Sequence, residues 1–98
     1  MTIDMNKNGQ STCVALTGRL DTTTAPELEA ALKDAMDGCN DLAFDFTNLE
    51  YVSSAGLRVL LATQKVMNKQ GNMVIRNVSS SIMEVFEITG FVDILTIE

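Results

Sequence analysis

Asp45-Phe46-Thr47-Asn48-Leu49-Glu50-Tyr51-Val52-Ser53-Ser54-Ala55-Gly56-Leu57-Arg58-Val59-Leu60-Leu61 changes its hydrophobic period partway along. On the upstream side Leu42, Phe44 and Phe46 alternate with Ala43, Asp45 and Thr47, the two-residue repeat of a strand. Downstream, Leu57, Leu60, Leu61 and Met67 make one stripe of a helix, closed by Lys69 and Gly71, with lysine suited to the negative pole of the helix dipole. Between the two lies a short polar turn ending in Ser53 and Ser54. A strand that leads directly into a helix is half of a parallel crossover unit, so this stretch sets the class as α/β. One of the two serines can serve as the helix N-cap, its oxygen accepting from a free backbone N–H. Capping leaves Gly56 unexplained. A glycine there costs a helix about 1 kcal/mol relative to alanine, so it is expected to serve the close approach of another chain or backbone.

The same two periods recur outward from this junction. Toward the N-terminus, Leu28, Ala31, Leu32 and Ala35 form a helical stripe, with Thr24-Ala25-Pro26-Glu27 as a capping box, proline in the first turn and Gly38 as the stop. This predicts a helix from about Ala25 to Asp37. Before it, Ile3 and Met5 alternate on one side of Asn8-Gly9, and Val14 and Leu16 on the other, which predicts a hairpin ending near Gly18. Toward the C-terminus, Met73-Val74-Ile75 has the continuous apolar character of a buried parallel strand. Ile82, Val85 and Phe86 form a third helical stripe, with Ser81 and Glu84 as its capping box and Gly90 at its end, and Ile94 to Ile97 supply a last strand. The expected order is β-β-α-β-α-β-α-β in one domain, residues 1–98. Right-handed crossovers make the sheet mostly parallel, mixed only at the first hairpin, with amphipathic helices packed on it. The patterns leave open whether the second face of the sheet is covered.

Composition narrows the chemistry. The 98 residues are 46% apolar and 20% charged, with one Pro and six Gly, as in a soluble globular domain of ordinary size. No apolar run approaches the roughly 20 residues a membrane-spanning helix needs, and Met1-Thr2-Ile3-Asp4 lacks a secretory signal. The chain is therefore expected in the cytoplasm, without membrane insertion. There is no His, so neither a Ser-His-Asp triad nor a zinc site built on Cys13 and Cys39 can be assembled. Cys13, in an apolar run, reads as a small buried hydrophobe, and Met5, Met36, Met67, Met73 and Met83 as core filler. A net charge of −6 disfavours direct nucleic-acid binding and an anionic membrane surface. No G-x-x-x-x-G-K-[ST] loop and no G-x-S-x-G elbow is present. The expectation is a binding protein with no catalytic residue, no cofactor and no metal, rather than an enzyme.

The run Tyr51-Val52-Ser53-Ser54-Ala55-Gly56-Leu57-Arg58-Val59-Leu60-Leu61 resembles the signature of the anti-sigma factor antagonists, members of the STAS domain family. Three further segments resemble that family in order and spacing. They are Gly18-Arg19-Leu20-Asp21 followed by Ala25-Pro26-Glu27-Leu28, then Asp45-Phe46-Thr47, and Val85-Phe86-Glu87-Ile88-Thr89-Gly90-Phe91. The resemblance implies a phosphorylation switch. The unmodified domain binds an anti-sigma factor, often a serine kinase of the histidine-kinase-like ATPase fold, and the sigma factor is released. Phosphorylation of a serine at the start of the second helix dissolves the complex, and a PP2C-type phosphatase restores it. Ser54 matches that serine, and Asp21 matches an acidic residue in the adjacent loop associated with kinase recognition. Thr22, Ser53, Ala55, Gly56 and Arg58 complete the expected partner surface.

The match has two departures. Relatives commonly carry Asp before the acceptor and Ser or Thr after it, where this chain has Ser53 and Ala55. Ser53 therefore stays open as the acceptor beside Ser54, and Asp21 has the alternative reading of a solvated loop carboxylate. Arg58 and Arg76 can contribute to a partner surface, but isolated basic side chains are usually just solvated. The alternative function within the same fold is an unphosphorylated subunit of a lipid-transport or sensory scaffold complex.

Overall fold

Alternation of side chains decides which face of each strand enters the core. In the computed structural model, which describes residues 1–98, the chain forms β1 (Thr2–Asn8), β2 (Ser11–Leu20), α1 (Ala25–Met36), β3 (Asp41–Val52), α2 (Ser54–Gln70), β4 (Asn72–Arg76) and α3 (Ser80–Thr89). The sheet order is β1-β2-β3-β4, with β1 antiparallel to β2 and the other two pairings parallel. Val14 and Leu16, then Leu42, Phe44 and Phe46, then Met73 and Ile75 turn to one face. There they join Leu28, Leu32 and Ala35 of α1, Leu57, Leu60 and Met67 of α2, and Ile82 and Phe86 of α3 in one buried cluster of 22 residues.

All three helices share that face for a topological reason. The strands advance in one direction from β2 to β4, and right-handed crossovers then place every helix on the same side. The opposite face carries half-buried Cys13, Ala15, Ala43, Asp45 and Val74, with exposed Asp4, Asn6 and Arg76. It has no helix over it, which answers the question the sequence left open. Cys13 accordingly lies half-buried on the uncovered face rather than in the core.

Four details differ from the sequence expectation. The hairpin turn is Gly9-Gln10, not Asn8-Gly9: Asn8 pairs with Ser11, and Gly9 takes φ +65, as the first central residue of a tight hairpin turn must. The polar turn expected after Phe46 is strand. Pairing passes from Ala15–Asp45 to Thr17–Asn48, and again from Gly18–Leu49 to Arg19–Tyr51, so β3 holds two extra residues as bulges. Its buried positions therefore step from Phe46 to Leu49 to Val52, a spacing of three that hides the strand from a period-two reading. The third helix begins earlier than expected, with Ser79 rather than Ser81 as N-cap, its Oγ accepting from the Ile82 N–H at 3.3 Å. The last strand shrinks to one parallel bridge, Ile75 with Ile97, because a 3-10 turn at Phe91–Asp93 occupies the approach. Its backbone bonds are Ile75 N–H to Thr96 O and Glu98 N–H to Ile75 O, each 2.9 Å.

Candidate functional site

Parallel pairing of β2 and β3 brings their C-terminal ends, and the loops that follow them, to one edge of the sheet. Leu20 pairs with Val52, and the Ser53 N–H donates to the Leu20 carbonyl at 2.8 Å. The loop carrying Asp21 and Thr22 thus lies against the start of α2. Crevices at the carboxyl ends of parallel strands are the usual place for ligands in such sheets.

The Asp21 loop is locked by its own side chains. Asp21 Oδ1 accepts from the Thr23 and Thr24 N–H groups at 3.0 and 3.1 Å, and the Asp21 carbonyl accepts from the Ala25 N–H at 2.8 Å. Thr24 Oγ1 accepts from the Asp21 N–H at 2.9 Å and donates to the Arg19 carbonyl at 2.8 Å. The capping box expected at Thr24 is therefore not formed: Thr24 has helical dihedrals and makes no side-chain cap bond. Asp21 covers the free amides in its place. The Thr24 amide holds the Asp21 carboxyl below the usual range, helped by the Thr23 amide, the Thr24 hydroxyl and Arg19, against the opposing effect of burial. Arg19 Nε stands 3.8 Å from Asp21 Oδ2, and its guanidinium lies 4.2 Å from the centre of the Tyr51 ring.

The two serines have different tasks. Ser53 has extended dihedrals (φ −92, ψ 175), and its Oγ accepts from the Gly56 N–H at 3.4 Å while its carbonyl accepts from the Leu57 N–H at 2.9 Å. It is the N-cap and is half-buried. Ser54 is the first residue of α2; it is exposed, and its hydroxyl makes no hydrogen bond within the chain. That hydroxyl sits at the positive pole of a 17-residue helix whose first turn contains no acid.

Gly56 finds its reason inside the molecule. A Cβ there would lie 2.6 Å from Leu20 Cγ, 3.0 Å from Leu20 Cδ2 and 3.1 Å from the Leu20 carbonyl oxygen. The close approach expected of this glycine is therefore to the end of β2, and Gly56 itself is buried. Arg58, one turn beyond Ser54, is exposed and forms no ion pair.

Thr22, Ala55 and Arg58 also line a groove of about 490 Å³ between α1 and α2, with Pro26, Met36 and Val66. Sequence reasoning missed this groove, which arises where α1 and α2 pack; the small residues Ala25, Ala55 and Ala62 in its wall are the trace it leaves in the sequence.

The edge thus gathers Asp21, Thr22, Ser53, Ser54, Ala55 and Arg58, with Gly56 beneath them. No three of His, Cys, Asp or Glu converge as metal ligands would, and no helix is long and apolar enough to cross a membrane. Neither serine has an adjacent general base: Asp21 already accepts two amides and is held ionised, which weakens it as a proton acceptor. The arrangement is suited to presenting a hydroxyl to a visiting protein.

Comparison with known proteins agrees with this geometry. The sequence profile of the STAS domain matches residues 2–98. The anti-sigma-B factor antagonist of Bacillus subtilis strain 168 is 31% identical over 96 residues, covering 97% of this chain and 88% of that protein. Among solved structures, the anti-sigma factor antagonist SpoIIAA in its unphosphorylated form matches with a TM-score of 0.78 at 16% identity, over 99% of this chain and 87% of that one. The phosphorylated form of SpoIIAA, from Bacillus, matches with a TM-score of 0.77 at 17% identity, over 99% of this chain and 91% of that one.

Proposed function

The chain belongs to the STAS domain family, and from that premise we propose that it is an anti-sigma factor antagonist switched by phosphorylation of Ser54. The observation that carries this reading is the division of labour between the serines. Ser53 is committed to capping α2, whereas Ser54 is exposed with a free hydroxyl, next to Ala55, which lines the α1–α2 groove together with Thr22 of the Asp21 loop.

In the unmodified state the edge formed by Asp21, Thr22, Ser53, Ser54, Ala55 and Arg58, held in place by Gly56, docks on an anti-sigma factor in the cytoplasm and frees the sigma factor. That partner is a serine kinase of the histidine-kinase-like ATPase fold, which supplies its own ATP site, and a PP2C-type phosphatase reverses the modification. Asp21, fixed by its loop, helps the kinase to recognise the acceptor.

A phosphate on Ser54 brings about −1.5 to −2 charges and three acceptor oxygens. The domain itself tolerates that change, because the group meets the free N–H groups and positive pole of α2. The similar fold match to SpoIIAA in both forms supports a switch without refolding. A docked partner is less tolerant. Like charges brought together across an interface cost several kcal/mol, and each 1.4 kcal/mol is a factor of about ten in affinity. A penalty of about 3 kcal/mol therefore weakens docking about a hundredfold. The test is intact mass after incubation with the candidate kinase and ATP, repeated on Ser54→Ala. One phosphate on the native chain and none on the variant is expected. Undiminished incorporation in Ser54→Ala overturns the assignment. An unmodified chain that copurifies with an ATP-binding transport subunit favours the lipid-transport reading instead.

A further inference from the structure

The end of the molecule away from Ser54 carries a surface that neither the fold nor the switch requires. α3 starts just beyond the C-terminal end of β4, and Ile97 later pairs in parallel with Ile75, so α3 runs back toward the opposite edge of the sheet. Its last turn and the 3-10 turn Phe91–Asp93 leave Ile88 78%, Val92 41% and Ile94 46% exposed. Elsewhere only Tyr51 and Val66 among the large apolar side chains are comparably exposed; Tyr51 packs under Arg19, and Val66 lines the α1–α2 groove.

The charges within this C-terminal segment have one sign. After Arg76 the chain contains Glu84, Glu87, Asp93 and Glu98 and no Lys or Arg. Arg76 is engaged with Glu98, Nε to Oε1 at 2.8 Å, which leaves Glu84, Glu87 and Asp93 without a cation. Glu87 lies in the last turn of α3, where the dipole already concentrates negative charge and no basic residue offsets it. Both an exposed isoleucine and an acid at the negative pole are unfavourable for the isolated domain. Both become favourable under a cover that is apolar at its centre and basic at its rim.

We propose that Ile88, Val92 and Ile94, rimmed by Glu84, Glu87 and Asp93, form a second docking surface for a polypeptide segment presenting apolar side chains flanked by Lys or Arg. Charge selects this occupant. A second copy of the chain would bring the same acidic rim to the contact, and an anionic lipid surface would be repelled. The surface is also separate from the switch. Ile88, at the centre of the surface, lies eight residues along α3 from Ser80, about 12 Å, beyond the screening length of about 8 Å at physiological salt. Occupancy here is therefore indifferent to a phosphate on Ser54, and the chain can stay tethered to one partner while it engages and releases another. The inference does not depend on Ser54 being the phosphoacceptor.

The experiment is a titration of the isotopically labelled full chain, followed by amide chemical shifts. The probe is a synthetic amphipathic helical peptide with a leucine face flanked by lysines; the control peptide has glutamates in place of the lysines. Shifts confined to residues 84–94 with the lysine peptide are expected, together with affinity about tenfold lower for Ile88→Ala and unchanged for Ser54→Asp. Because Ile88 is largely solvent-exposed, its replacement leaves the fold intact, and the unperturbed remainder of the spectrum verifies this. Four results of the titration would overturn the proposal. They are shifts centred on the α1–α2 groove, equal binding of the glutamate peptide, no binding of either peptide, and concentration-dependent shifts at 84–94 without peptide. The last would assign the patch to a second copy of the chain. Cosedimentation with vesicles of anionic phospholipid that is lost in Ile88→Ala would assign it to lipid and would equally overturn it.

Discussion

Replacing Gly56 by alanine sets helix propensity against packing. At an unobstructed helical position, Gly→Ala stabilises a helix by about 1 kcal/mol. Here the added methyl would lie 2.6 Å from Leu20 Cγ and 3.1 Å from the Leu20 carbonyl oxygen, against an ordinary carbon–carbon contact of about 3.5–4.0 Å. The first turn of α2 and the end of β2 must therefore separate by about 1 Å. Leu20 is fully buried and has no open space to move into. Overpacking of this kind costs about 1–3 kcal/mol, and contact with both side chain and backbone places this case toward the upper end. The expected net loss is about 1–2 kcal/mol, or a fall in Tm of about 5–15 °C for a domain of this size. Urea unfolding and thermal melts followed by circular dichroism measure it. The same displacement would strain the Ser53 N–H to Leu20 O bond that seats Ser54 beside the Asp21 loop, so partner binding should fall as well. A Gly56→Ala protein that melts above the native one would refute the argument, because propensity would then have prevailed and the contact with Leu20 would be unimportant.

Three other predictions concern individual side chains. Ser53→Ala removes the cap of α2 and should cost about 1 kcal/mol, whereas Ser54→Ala should stay within about 0.5 kcal/mol of native; urea midpoints that reverse this order would exchange the roles of the two serines. Arg58 lies at i+4 from Ser54 with the cation C-terminal to the anion, the better orientation for such a pair, and helical side chains lean toward the N-terminus. Phosphoserine installed at 54 should therefore lose its last proton at lower pH than in an Arg58→Gln protein, read by phosphorus NMR; coincident titrations would remove Arg58 from the switch. Asp21 and Asp45 have carboxyls held below their unfolded values, Asp21 first by the Thr24 amide and Asp45 first by the Thr47 hydroxyl and then by the Asn77 amide. Both contribute stability above the unfolded carboxylate range, near pH 4, and lose it as pH falls through the lower folded values. The urea midpoint should accordingly drop below about pH 4, less steeply in Asp45→Asn; an unchanged pH profile in that variant would show that its hydrogen bonds contribute nothing net.

How much the sequence disclosed depends on how local each cause is. Leu28, Leu32 and Ala35 announce α1 because the spacing that makes the helix is the spacing that buries it, and Leu42, Phe44 and Phe46 announce the first half of β3 in the same way. Its second half was obscured because two bulges shift Leu49 and Val52 out of the period, and bulges are set by pairing with β2, not by neighbours in sequence. The first helix shows a similar limit. Thr24-Ala25-Pro26-Glu27 has the composition of a capping box, yet Asp21, three residues earlier, takes the amides because its loop curls into a preceding turn. The Ser-Ser junction was visible as a helix start, but which serine caps depends on the helix beginning at Ser54 and no later. Gly56 was conspicuous by its cost, whereas its neighbour Leu20 lies too far away in sequence for spacing to reveal. The groove between α1 and α2 depends wholly on long-range packing and left only a scatter of alanines as its sign.

The phosphoserine switch is tested most directly by the affinity of an anti-sigma factor for this chain carrying serine or genetically encoded phosphoserine at position 54, measured by titration calorimetry. It predicts tight one-to-one binding of the serine form and a loss of about a hundredfold or more for the phosphoserine form, with the two circular dichroism spectra superimposable. Equal affinities for the two forms would contradict it.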